Sequence, residues 1–141
     1  MACCVTGTTT TTINNNNNAT IAQLLKRIDQ IQKEAIIANA ANQCDNCMIS
    51  AMYNTKPIAI YFCPSTTRLE VPVGNTDATS NLFRIEEVRG DETVVLRLLV
   101  EDETTGEVTC TTFTIVVRIS CIGAVQCFDP INCETLCSQL V

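Results

Sequence analysis

From Pro57 onward the chain alternates apolar and polar positions with a period of two. That is the period of strands, whose successive side chains point to opposite faces. Ile58, Ile60 and Phe62 alternate with Ala59, Tyr61 and Cys63, and Leu69, Val71 and Val73 alternate with Arg68, Glu70 and Pro72. Phe83 and Ile85 follow, then Val94, Leu96, Leu98 and Val100. A last long run sets Phe113, Ile115, Val117, Ile119 and Cys121 on one face, against Thr112, Thr114, Val116, Arg118 and Ser120 on the other. Polar connectors at 74–80, 89–92 and 103–106 separate these runs, each with a glycine that punctuates a turn. The stretch 123–127 supplies one more strand. Short strands with such breaks predict a mainly β fold, an antiparallel β-sandwich or barrel of jelly-roll-like kind.

Before the strands the period is helical. Thr20-Ile21-Ala22-Gln23 reads as a capping box, in which the hydroxyl and the Gln side chain satisfy reciprocal backbone donors. Ile21, Leu24, Ile28, Ile31, Ala35 and Ala38 then repeat at steps of three and four, a narrow apolar stripe on one helix. The stripe either covers the domain's own sheet or forms a heptad-like seam with the helix of a second copy. Residues 1–18, with threonines at 8–12 and asparagines at 14–18, are a low-complexity tract read as an extended N-terminal arm. The expected organisation is therefore an arm at 1–18, an amphipathic helix at 19–43, a β domain at 44–130 and a cysteine-containing tail at 131–141.

Composition narrows the function classes. The 141 residues are 46% hydrophobic, enough for one domain with a real core, and carry a net charge of −6. Nine scattered basic residues predict no nucleic-acid partner and no anionic membrane partner. No apolar run approaches the ~20 residues that cross a bilayer. The N-terminal stretch has neither a basic n-region nor an apolar h-region, so no Sec signal peptide is predicted. Histidine is absent, which removes Ser-His and Cys-His nucleophile pairs and histidine metal ligands. The acidic runs Asp91-Glu92 and Glu101-Asp102-Glu103 fall at or beside turns and read as solvated charged tips; Glu86-Glu87 is a further carboxylate pair. No catalysis is assigned to any of them, and no enzyme and no cofactor is expected.

The candidate chemistry lies in the ten cysteines. Cys3 and Cys4 are adjacent near the N-terminus, where the eight-membered ring of a mutual bond is strained, so each seeks a partner elsewhere. An arm of ~15 extended residues reaches on the order of 50 Å. Cys3, Cys4, Cys133 and Cys137 are the candidates for disulfides between chains. Cys44, Cys47, Cys63, Cys110, Cys121 and Cys127 are candidates for other disulfides, with connectivity left open by the sequence. The CxxC at Cys44 and Cys47 follows the helix, where the macrodipole opposes a thiolate, which argues against a thioredoxin-like redox motif. A zinc module using four thiolates, Cys44 and Cys47 with Cys133 and Cys137, is the lower-ranked alternative.

Three blocks carry a resemblance. Asn54-Thr55-Lys56-Pro57-Ile58-Ala59-Ile60-Tyr61 resembles the start of the body of the CotY/CotZ/ExsY family of bacterial spore coat and exosporium proteins. Leu82-Phe83-Arg84-Ile85-Glu86-Glu87-Val88, running into Val94-Val95-Leu96-Arg97-Leu98-Leu99, is similar to its central block. Ile119-Ser120-Cys121-Ile122-Gly123-Ala124-Val125-Gln126-Cys127 is similar to its terminal cysteine-rich signature, where the family usually has a further cysteine in place of Gly123. The resemblance implies a structural protein made in the mother-cell cytoplasm without a signal peptide. Such a protein assembles with itself, and with other coat proteins, into disulfide-cross-linked layers on the spore surface. The double cysteine followed by a spacer is also similar to the connector arm of endospore appendage fibre subunits, which implies a fibre as the alternative geometry.

Overall fold

In the computed structural model, which describes residues 20–41, 53–64 and 66–133, Thr20 opens helix α1 (Ile21–Ala41). The capping box is formed as its residue types dictate. Gln23 N–H donates to Thr20 Oγ1 at 3.1 Å, and Thr20 N–H donates to Gln23 Oε1 at 3.2 Å. The face that α1 buries differs from the expected stripe. Ala22, Leu25, Ile28, Gln32 and Ala35 are buried, whereas Leu24 and Ile31 are 38% and 46% exposed. Two apolar stripes overlap on this helix, and the sheet takes the one through Ala22 and Leu25. Full burial of a leucine such as Leu25 contributes about 1.5–3 kcal/mol, which settles the rotation of the helix.

The strands are β1 (Ile58–Phe62), β2 (Thr67–Arg68), β3 (Val71–Pro72), β4 (Thr79–Ser80), β5 (Leu82–Arg89), β6 (Thr93–Glu101), β7 (Val108–Arg118) and β8 (Ile122–Cys127). Strand β8 runs antiparallel along one edge of β1, from Ile58↔Cys127 to Phe62↔Ile122. The other edge of β1 pairs with β5 at Ile58↔Phe83 and with β2 at Tyr61↔Arg68. Strands β5, β6 and β7 continue the antiparallel sheet, which curls into a half-barrel. The mainly β, antiparallel fold with a helix ahead of its strands is what the apolar alternation predicts.

Local departures have local causes. Leu69 lies outside the strands, and β3 pairs with β4, which falls inside the expected connector 74–80, as a separate two-stranded sheet. Strand β7 ends at Arg118, where a 3-10 turn over Ile119–Cys121 carries the chain across to β8. Gly90 (φ 60°) and Gly106 (φ 77°) occupy the left-handed conformation in the β5–β6 and β6–β7 turns.

Helix α1 closes the core on the sheet. Ala22, Leu25 and Ile28 pack with Ile58, Ile60, Phe83, Ile85, Leu96 and Ile122. Alternate residues face the other way, where Ala59, Leu82, Leu99 and Cys133 form a second apolar cluster with Phe128 and Ile131 packed against it. The chain after β8 is held there by backbone pairing. Thr55 and Ile131 exchange hydrogen bonds at 3.0 and 2.9 Å, and Phe128 N–H donates to Pro57 O at 2.9 Å. The Arg68 guanidinium lies 5.7 Å from the centroid of the Phe128 ring. The expected tail from 131 thus stays on the domain as far as Cys133.

Candidate functional site

Four of the ten candidate cysteines are disulfide-bonded among the described residues. Cys110 on β7 and Cys133 are joined across 5.6 Å between Cα atoms and 23 positions of sequence. This corrects the expectation for Cys133 as a link between chains. Its side chain sits 1% exposed in the second apolar cluster, beyond the reach of another subunit. Its sulfur is likewise withdrawn from the four-thiolate zinc set with Cys44, Cys47 and Cys137. Cys63 and Cys121 are each disulfide-bonded as well, and Cys63 N–H donates to Cys121 O at 3.2 Å. Cys127, at the end of β8, is an exposed free thiol. Cys3, Cys4, Cys44, Cys47 and Cys137 lie outside the described residues, as does the expected arm.

What seats Cys133 is a buried asparagine. Asn54 Oδ1 accepts from Cys133 N–H at 2.9 Å, and Asn54 Nδ2 donates to Cys133 O at 3.3 Å. Thr55 Oγ1 donates to the same Asn54 Oδ1 at 2.7 Å and accepts from Arg84 Nε at 2.9 Å. Through these contacts the disulfide is tied to an ionic cluster that sequence reading missed.

Arg84 on β5 and Arg97 on β6 stand directly opposite each other in the register, and both are buried. Like charges so placed repel. Glu86 lies between them: its Oε2 accepts from Arg84 Nη1 at 2.9 Å and from Arg97 Nε at 2.7 Å. The register shift between Ile85 and Glu87 makes room for this arrangement. It also leaves the Ile85 carbonyl to accept from Gln32 Nε2 at 2.8 Å and Arg84 Nη1 at 3.1 Å. Burial pulls the Arg84 pKa below its ordinary value, against the raising effect of Glu86. Burial alone would raise the Glu86 carboxyl, but the Arg97 hydrogen bond and the two guanidinium charges outweigh it and hold the carboxyl below the usual carboxylate range. The available signal was an arginine between Phe83 and Ile85 and another between Leu96 and Leu98, each interrupting an apolar strand.

Gly123, the position where the resemblance expects cysteine, lies against Cys63. A Cβ built there meets Cys63 Cβ at 2.9 Å and Cys63 N at 3.3 Å. Gly123→Ala is therefore expected to lower stability by about 1–3 kcal/mol, because the crowding atom is held by a disulfide-bonded residue. Thermal unfolding checks this; an unchanged midpoint would show that β1 and β8 separate freely at this point.

Among the described residues no cluster of three or more acidic or cysteine side chains is placed to hold a metal ion. No helix among them is long and apolar enough to cross a membrane. The fold and its cysteines define a curled antiparallel β domain with an internal disulfide and an outward thiol. No protein-family model, curated protein or solved structure matches the chain.

Proposed function

We propose that this chain is a structural, self-assembling protein of the bacterial spore surface, in the outer coat or exosporium, whose subunits are locked by disulfides. The observation that carries the reading is an exposed free thiol at Cys127 on a body with its own apolar core and internal disulfide. Cys127, which does not staple the body, is then available to join chains. The three blocks of resemblance to the CotY/CotZ/ExsY family fall on β1, on β5 and β6, and on the turn into β8, so they describe one continuous region of sheet. In this reading the protein is no enzyme and takes no cofactor. Its partners are its own copies and other coat proteins.

Electron microscopy of the purified protein, paired with reducing and non-reducing gels, tests the proposal. Sheets or fibres whose covalent ladders collapse in reductant are the expected result, and their shape chooses between lattice and appendage. Cys127→Ser and Cys3→Ala/Cys4→Ala variants are expected to fold and to lose rungs of the ladder. Soluble monomers whose mobility ignores reductant would sink the idea.

A further inference from the structure

We propose that the tip of the β5–β6 hairpin, Arg89-Gly90-Asp91, is a recognition site for a metal-dependent adhesion receptor. Such a receptor takes a carboxylate on a bound divalent cation and a guanidinium in an acidic pocket beside it. The inference stands apart from the assembly reading, and an assembled chain carries the same tip on every copy.

The first observation is what the hairpin puts at its end. Strands β5 and β6 stay paired up to Val88↔Val94 and Arg89↔Thr93, so the chain reverses within the residues 90–92. Glu92 N–H donates to Arg89 O at 3.2 Å, which closes a turn with Gly90 and Asp91 at its centre. Gly90 has φ 60° while Asp91 stays out of the left-handed region, the φ pattern of a type II′ hairpin turn. A guanidinium and a carboxylate thus flank a glycine across a bend that the ladder below holds fixed. The arrangement is preorganised, so little ordering is left for a receptor to impose.

The second observation is access. The Arg89 and Asp91 side chains are 57% and 76% exposed. A Cβ built on Gly90 meets no atom within 4 Å, so a receptor surface can close on the backbone between the two charges. Each charge has a partner on the chain: Arg89 Nε lies 3.4 Å from Glu87 Oε2, and Lys26 Nζ lies 2.6 Å from Asp91 Oδ1. Both pairs are exposed and therefore weak. Asp91 Oδ2 has no partner among the described residues, so a cation can take it while Lys26 keeps the carboxylate oriented.

The third observation selects the class of partner. No group of three or more acidic or cysteine side chains among the described residues could hold a metal ion. A hard divalent cation needs several oxygen ligands, and the tip offers one carboxylate. The cation and its other ligands therefore come with the partner. Metal-dependent adhesion receptors read this order of guanidinium, glycine and carboxylate.

Surface plasmon resonance of the full chain against an integrin ectodomain of the Arg-Gly-Asp-binding class, in Mn²⁺, tests the site. The expected result is saturable binding that EDTA abolishes and a linear Arg-Gly-Asp peptide competes away. Asp91→Glu keeps the charge but lengthens its arm by one methylene, and Arg89→Lys keeps the charge but loses the planar fork. Each is expected to weaken binding about thirtyfold or more, as the loss of a central anchor does. Both positions are exposed, so circular dichroism and the thermal midpoint stay at their wild-type values. No binding in Mn²⁺, binding that survives EDTA, or binding as strong in Asp91→Glu as in the wild type overturns the proposal. Disulfide ladders on non-reducing gels report assembly separately, because no substituted position is a cysteine. Ladders without receptor binding leave the assembly standing and remove this site, and binding without ladders does the reverse.

Discussion

Replacing Glu86 with glutamine is expected to lower the free energy of unfolding by about 3 kcal/mol. Glutamine keeps the shape and one acceptor but removes the negative charge between two buried guanidinia that face each other across β5 and β6. The loss comes from leaving Arg84 and Arg97 mutually exposed to repulsion, since an ion pair of this kind contributes little until one partner is taken away. Urea unfolding should show a lower midpoint with the slope unchanged. A loss under about 1 kcal/mol would mean that water already screens the two arginines, because the Glu86 side chain remains 20% exposed.

The same carboxylate sets a pH dependence. Its pKa in the folded state lies below the ordinary 4.5. Its contribution is therefore fully present above that value and is lost as pH falls through the lower, folded one. Wild-type stability should decline in acid below about pH 4.5, and the decline should be shallower in Glu86→Gln, whose residue 86 has no proton to take up. Parallel acid titrations of the two proteins would reveal the difference; curves of equal slope would assign the acid sensitivity to other carboxylates.

Substituting both Cys110 and Cys133 with serine is expected to cost about 3 kcal/mol, the chain-entropy value for a closed loop of 23 positions. The cost adds to that of placing a hydroxyl at position 133, where the thiol side of the chain packs among Ala59, Leu82 and Leu99. Cys110→Ala/Cys133→Ala avoids the second term, so comparing the two double variants separates the constraint from the burial. Thermal unfolding of both checks the division. Equal midpoints for the alanine variant and the wild type would show that the backbone pairing at Thr55 and Ile131 already holds the segment.

Local patterns were readable from the chain alone. The capping box at Thr20 and Gln23, the alternation in β1, β5 and β6, and the turns at Gly90 and Gly106 depend on neighbours within a few residues. In β7, by contrast, Phe113, expected on the apolar face, is 46% exposed. What was not readable depends on where distant segments meet. Periodicity fits the Leu24–Ile31 stripe of α1 as well as the Ala22–Leu25 stripe, and only the position of the sheet decides between them. Cys110 and Cys133 come together because the chain after β8 turns back over the sheet, a path that cysteine spacing does not encode. The Arg84–Glu86–Arg97 cluster needs both the β5–β6 register and a bulge at Glu86 before its charges can meet.

The hold of Asn54 on Cys133 has a consequence for how ten thiols are sorted. Asn54 binds the peptide groups of residue 133, not its sulfur, so that grip does not itself require the disulfide. Behind it stand Thr55, Arg84 and Glu86, none of which senses redox state. The partner of Cys110 is thus positioned by hydrogen bonds that do not run through the disulfide itself. The internal match is thereby held in place through backbone contacts, while the outward thiol of Cys127 is left open to a stranger.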